Sequence, residues 1–92
     1  MTFPVYNVTF KKGPQGSVTA MGEITNPTGK SYRCTIFKIV VFDRSQCLGS
    51  GFIRIHDFEA RSTRAFDTVL ENIDYKIVHT IFRYEILFEA GY

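Results

Sequence analysis

The stretch "KIVVFDRSQCLGSGFIRI", Lys38 to Ile55, decides the fold. It is apolar up to Phe42, breaks at Asp43-Arg44-Ser45-Gln46 and turns apolar again from Leu48, the pattern of a strand, a polar turn and a second strand. The acid at the end of the first strand has a local use. An Asp in that position accepts hydrogen bonds from backbone N–H groups a few residues ahead, here Ser45 to Cys47, and closes the turn. Asp43 is therefore expected to hold a corner. A catalytic carboxylate needs a partner, and none stands at a telling spacing from it.

A period of two continues outward on both sides. The strand Tyr32 to Asp43 has Phe37, Ile39 and Val41 on one face and Cys34, Ile36, Lys38, Val40 and Phe42 on the other. A strand apolar on both faces belongs in the middle of a sheet. The next, Leu48 to Ile55, turns Ile53 and Ile55 inward behind Gly49 and Gly51, which suit a bulge or a close backbone approach. Upstream, Val5 to Lys11 places Tyr6, Val8 and Phe10 on one face and stops at Gly13-Pro14-Gln15-Gly16. Ser17 to Asn26 turns Val18, Ala20 and Ile24 inward with Gly22 among them, and ends at Asn26-Pro27-Thr28-Gly29. Downstream, Thr63 to Val69 is anchored by Phe66, and Thr80 to Glu89 alternates Phe82, Tyr84, Ile86 and Phe88 against Arg83, Glu85 and Glu89. The alternation fails between, and one short helical turn is expected near residues 71–78. The chain is thus expected to be one all-β domain, residues 1–92, of six or seven strands. Phe37, Ile39, Val41, Phe66, Phe82, Tyr84 and Ile86 should share its core. Periodicity does not choose between an immunoglobulin-like antiparallel β-sandwich and a small barrel.

Composition narrows the function classes. Apolar residues make up 45% of the 92, too many for a disordered chain. The net charge of +2 comes from eleven basic and nine acidic residues with no like-charged run longer than Lys11-Lys12, so no nucleic-acid partner is expected. No apolar run approaches the roughly 18 residues of a membrane span, and this segment itself should make no membrane contact. Cys34 and Cys47 fall at opposite ends of the proposed hairpin. That is about 27–30 Å at roughly 3.3 Å per residue, whereas a disulfide needs Cα atoms within about 7 Å. Two free thiols are expected.

The reactive-looking groups do not assemble. His56 and Asp57 are strand neighbours and point to opposite faces. His79 stands alone, two histidines and two distant cysteines lack zinc-site spacing, and the acids do not make a calcium loop. Gly49-Ser50-Gly51 lacks the helix start of a phosphate loop, and Ser50 has no nucleophile elbow around it. No catalytic residue, metal or cofactor is expected, and the chain is taken not to be an enzyme.

The order "VTAMGEITNPTGKSY", "IFKIVVFD", "CLGSGFIRI", "DFEARSTRAF" resembles the FxLYD domain family, over residues 17 to 89. In the signature segment Ile39 stands where the family has Phe, Val41 where it has Leu and Phe42 where it has Tyr, while Asp43 matches. Gly22 and Asn26 fit the glycine and the asparagine before a turn, and Ala65-Phe66 fits the small residue followed by Phe. Ala60-Arg61 departs from the usual Pro-Gly. The resemblance implies an immunoglobulin-like β-sandwich module of cell-envelope or extracellular proteins, reached through an upstream signal no longer on the chain. It does not fix a compartment. On this reading Asn26 ties down its own corner as Asp43 does, and Gly22 leaves room for an aromatic ring from the facing sheet.

One surface goes beyond a plain scaffold. Ile36, Val40 and Phe42 surround Lys38 on the second face of the central strand, with Leu48 and Phe52 beside them. If it faces solvent, this is an apolar patch of the kind that marks an interaction surface, unless Glu71 to Val78 folds over it. The leading expectation is a non-enzymatic accessory module whose partner is a protein or an adjoining domain of a larger chain. The alternative is an OB-like barrel binding single-stranded nucleic acid through Phe52, Tyr75 and Tyr84, with Arg54, Arg64 and Arg83.

Overall fold

The computed structural model describes residues 2–92. Six strands form: β1 (Val5–Lys12), β2 (Ser17–Thr25), β3 (Tyr32–Phe42), β4 (Cys47–Phe58), β5 (Thr63–Asp74) and β6 (Arg83–Gly91). They make one curled antiparallel sheet in the order β1-β2-β5-β4-β3-β6. Among the described residues, helical structure is confined to 3-10 turns at Pro14–Gly16 and Tyr75–Thr80. β3 lies between β4 and β6, the place its two-sided apolar pattern asks for.

β4 meets β5 through the pair Ser50↔Glu71. A Cβ at Gly49 would lie 2.4 Å from the Glu71 carbonyl oxygen, and one at Gly51 would lie 3.0 Å from that of Val69. The Gly49-Ser50-Gly51 stretch is therefore a close backbone approach, one of the two uses expected of it. A bulge of the same strand directly precedes it, since Val41 pairs with Gly49 but Phe42 with Cys47, which leaves Leu48 as the extra residue.

The concave side buries Val18, Ala20, Ile24, Phe37, Ile39, Val41, Ile53, Ile55, Phe58, Phe66 and Leu70 in one cluster. Each large apolar side chain so buried is worth about 1.5–3 kcal/mol. β1 and β6, the two edges, do not pair with each other. Aromatic rings bridge them instead: Phe3 stacks on Phe88 with centroids 5.2 Å apart, and Phe10 meets the Tyr84 ring edge-on at 6.4 Å.

Three expectations need correction. Tyr6 points outward at 51% exposure, because Asn7 takes a left-handed conformation (φ 55°) and the register shifts between Tyr6 and Thr9. That bulge resets the alternation, so Val5, Val8 and Phe10 are the side chains that pack on the core. Phe82 and Tyr84 are not core residues, at 58% and 38% exposure. Tyr84 has the inward orientation of its partner Val41, but β6 is an edge and no further strand covers it. Residues 71–74 extend β5, and the helical turn comes later, at Tyr75–Thr80, where the Asp74 carboxylate accepts the Lys76 N–H at 2.8 Å. Cys34 is buried, Cys47 is exposed and both thiols are free.

Candidate interaction surface

The corners hold the sheet in place. At the β3–β4 turn, Asp43 Oδ1 accepts the N–H groups of Ser45 and Gln46, both at 2.8 Å, and the Ser45 hydroxyl at 3.3 Å. The Ser45 N–H first, and then that of Gln46, hold the carboxyl below its ordinary value of 3.8, because both bonds favour the charged form. His79 lines the same shallow recess as Asp43 and Ser45. The Ser45 hydroxyl donates to the carboxylate rather than to an imidazole, which is not how a nucleophile is activated.

At the other corner Asn26 is fully buried. Its Nδ2 donates to the carbonyl oxygens of Lys30 (2.8 Å), Glu59 (3.2 Å) and Phe58 (3.4 Å), and its Oδ1 accepts the N–H and hydroxyl of Thr28 at 3.0 and 2.7 Å. One side chain thereby ties the turn after β2 to the end of β4. Gly22 is paired with Phe66 of the adjacent strand β5, and a Cβ there would lie 2.9 Å from Phe66 Cζ. The room it leaves is filled from its own neighbour, not from a facing sheet as expected.

His56 is exposed, and Asp57 takes a left-handed conformation (φ 53°). Their carbonyl oxygens both accept Arg64 Nη1. Among the described residues no three His, Cys, Asp or Glu side chains cluster as a metal site, and no helix is long and apolar enough to cross a membrane.

The convex face of β4-β3-β6 collects the remaining candidates. The register places Ile36 opposite Arg54, Lys38 between Phe52 and Leu87, Val40 between Ser50 and Glu85, and Phe42 opposite Arg83. Phe52 is 51% exposed, and Ile36, Val40 and Phe42 are half-buried. The turn at Tyr75–Thr80 does not fold over them. It packs against β5, β1 and β2, while Val78 and Ile81 join the core. Leu48 also turns to the core instead of joining this face. Cations lie over the rings: Lys38 Nζ is 6.0 Å from the Phe52 centroid, and the Arg83 guanidinium is 3.9 Å from that of Phe42.

Of the residues grouped for nucleic-acid binding, Phe52, Arg54 and Arg83 share this face. Tyr84 is turned toward the β1–β6 seam, Tyr75 is in the 3-10 turn, and Arg64 is bound to β4 carbonyls. Leu87 was missed, although it stands at odd spacing with Arg83 and Glu85 on the strand. Compared with known protein families, with curated proteins and with solved structures, the chain matches none of them.

Proposed function

We propose that the chain is a non-enzymatic, immunoglobulin-like β-sandwich module of the FxLYD type, with a cell-envelope or extracellular setting, that docks on a protein or an adjoining domain through the convex face of β4-β3-β6. One observation carries this reading. Ile36, Val40, Phe42 and Phe52 lie on one face, interleaved with Lys38, Arg54 and Arg83, and among the described residues the Tyr75–Thr80 turn packs elsewhere instead of folding over them. Removing such area from water is favourable by about 25 cal/mol per Å², and the attraction survives salt. In a capture experiment on extract of the source cells at high salt, the domain should retain a partner that Val40→Lys and Phe52→Lys each lose, with the β circular dichroism signal unchanged. Retention by both variants would sink the reading.

The cations over Phe42 and Phe52 favour a second reading, a platform on which single-stranded bases stack beside Lys38, Arg54 and Arg83. That binding would weaken steeply as salt rises, because it releases counterions from the phosphates. Oligonucleotide affinity at physiological salt that disappears with Arg54→Ala or Arg83→Ala would replace the protein-docking assignment.

A further inference from the structure

The two edges of the sheet are defended differently. β1 is broken by the Asn7 bulge, ends in Lys11-Lys12, and is led in by Pro4, which has no N–H to donate. Such features discourage another strand from pairing there. β6 has a continuous register with β3 from Arg83 to Phe88 and shifts only at Glu89, near its far end, and its side chains Arg83, Tyr84, Glu85, Leu87 and Phe88 are exposed. An open edge of this kind is a template for a further strand.

We propose that β6 pairs antiparallel with β6 of a second copy about a two-fold axis at Ile86, joining two sheets into one. The charge pattern selects this register. Centred on Ile86, it sets Arg83 against Glu89 of the other copy, Tyr84 against its Phe88 and Ile86 against itself, so opposite charges and aromatic rings meet across the strands. Moving the axis to Leu87 sets Glu85 against Glu89, and moving it to Glu85 sets that acid against itself. Centring it on Tyr84 does pair Arg83 with Glu85, but it leaves only three residues of each β6 in the ladder. The Ile86 register keeps residues 83–89 of each β6 in the ladder with no like charges opposed, and it is isologous, so the assembly closes at two. The pairing uses the edge rather than the convex face and stands apart from the docking reading above.

Sedimentation across a concentration series should show a monomer–dimer equilibrium for the intact chain. Arg83→Glu and Glu89→Arg should each weaken the dimer by about tenfold or more, since each turns two cross-strand attractions into repulsions. An equimolar mixture of the two variant chains should restore it as a heterodimer. The Arg83–Glu85 ion pair within one chain cannot produce that restoration. Amide exchange over residues 83–88 should slow as concentration rises. A monomer at every concentration, a dimer indifferent to both reversals, or a mixture that stays monomeric would overturn the proposal. Val40→Lys should leave the dimer intact, so failure here and failure of the convex-face reading are separate results.

Discussion

Asn26 and Asp43 both close a corner with a short polar side chain, yet one must be an amide and the other an acid. The Asp43 carboxylate, half-buried at the turn, faces the N–H groups of the exposed Ser45 and Gln46, so acceptor capacity is all it needs. Asn26 is buried with three carbonyl oxygens on its nitrogen side and Thr28 donors on its oxygen side, so it must donate and accept at once. Burial also sets the stakes. A polar group left without a partner costs little where water replaces it, and about 1–3 kcal/mol where water is excluded.

Exchanging the two chemistries is the most severe way to break the comparison. Asn26→Asp would turn a carboxylate oxygen toward the carbonyls of Lys30, Phe58 and Glu59, an uncompensated buried charge that costs about 3–5 kcal/mol. Asn26→Ala removes the donors without adding charge, and about 2–3 kcal/mol should be lost through the orphaned carbonyls. Denaturant unfolding of both variants at neutral pH checks the order. An Asn26→Asp variant as stable as the Ala variant would show that water reaches this corner.

Thr28→Val tests the same network from its rim. The Thr28 hydroxyl donates to Asn26 Oδ1 at 2.7 Å, with the Lys30 carbonyl oxygen a second acceptor at 3.1 Å, and accepts the Lys30 N–H at 3.2 Å. Valine keeps the shape and loses all of these, while Asn26 keeps the Thr28 N–H, so the loss should be about 1 kcal/mol. A loss equal to that of Asn26→Ala would mean that the amide is held by Thr28 rather than by the strands.

The two corners also differ in how much of them was legible beforehand. Both turns stand out locally, since Asp43 ends an apolar run and Asn26 precedes Pro27. The reach of Asn26 to Phe58 and Glu59 did not, because those carbonyls lie more than thirty residues away and only the fold brings them in. Strand count and the central place of β3 followed from side-chain alternation. Tyr6 went wrong because one left-handed residue, Asn7, inverts the alternation without leaving a glycine as a marker. Phe82 and Tyr84 went wrong for different reasons. Phe82 falls before β6, with its ring under the Arg44 guanidinium of the β3–β4 turn, whereas Tyr84 faces inward on an edge strand that no further strand covers, and which strands become edges is a property of topology rather than of local pattern. The convex face was half legible. Ile36, Val40, Phe42 and Phe52 belong to the hairpin that decides the fold, whereas Arg83 and Leu87 join them through pairing with a distant strand.

The smallest effect is expected at Asp43, and its pH dependence identifies it. The folded carboxyl titrates below its ordinary value of 3.8, so the contribution to stability is fully present above that value and is lost as pH falls through the folded pKa. Asp43→Ala should therefore lower the unfolding midpoint slightly at neutral pH, by less than Thr28→Val does, with the gap to the parent protein closing under strong acid. Asp43→Asn keeps a neutral acceptor for Ser45 and Gln46 and should fall between the two, without the acid-dependent step. Thermal unfolding followed from neutral pH into strong acid measures all three chains. Solvent is the reason for the small size, since every backbone group that Asp43 serves lies where water can take over the bond. A deficit in Asp43→Ala as large as that of Asn26→Ala, or one that does not shrink in acid, would mean that this corner is buried and that the contrast between the two turns is false.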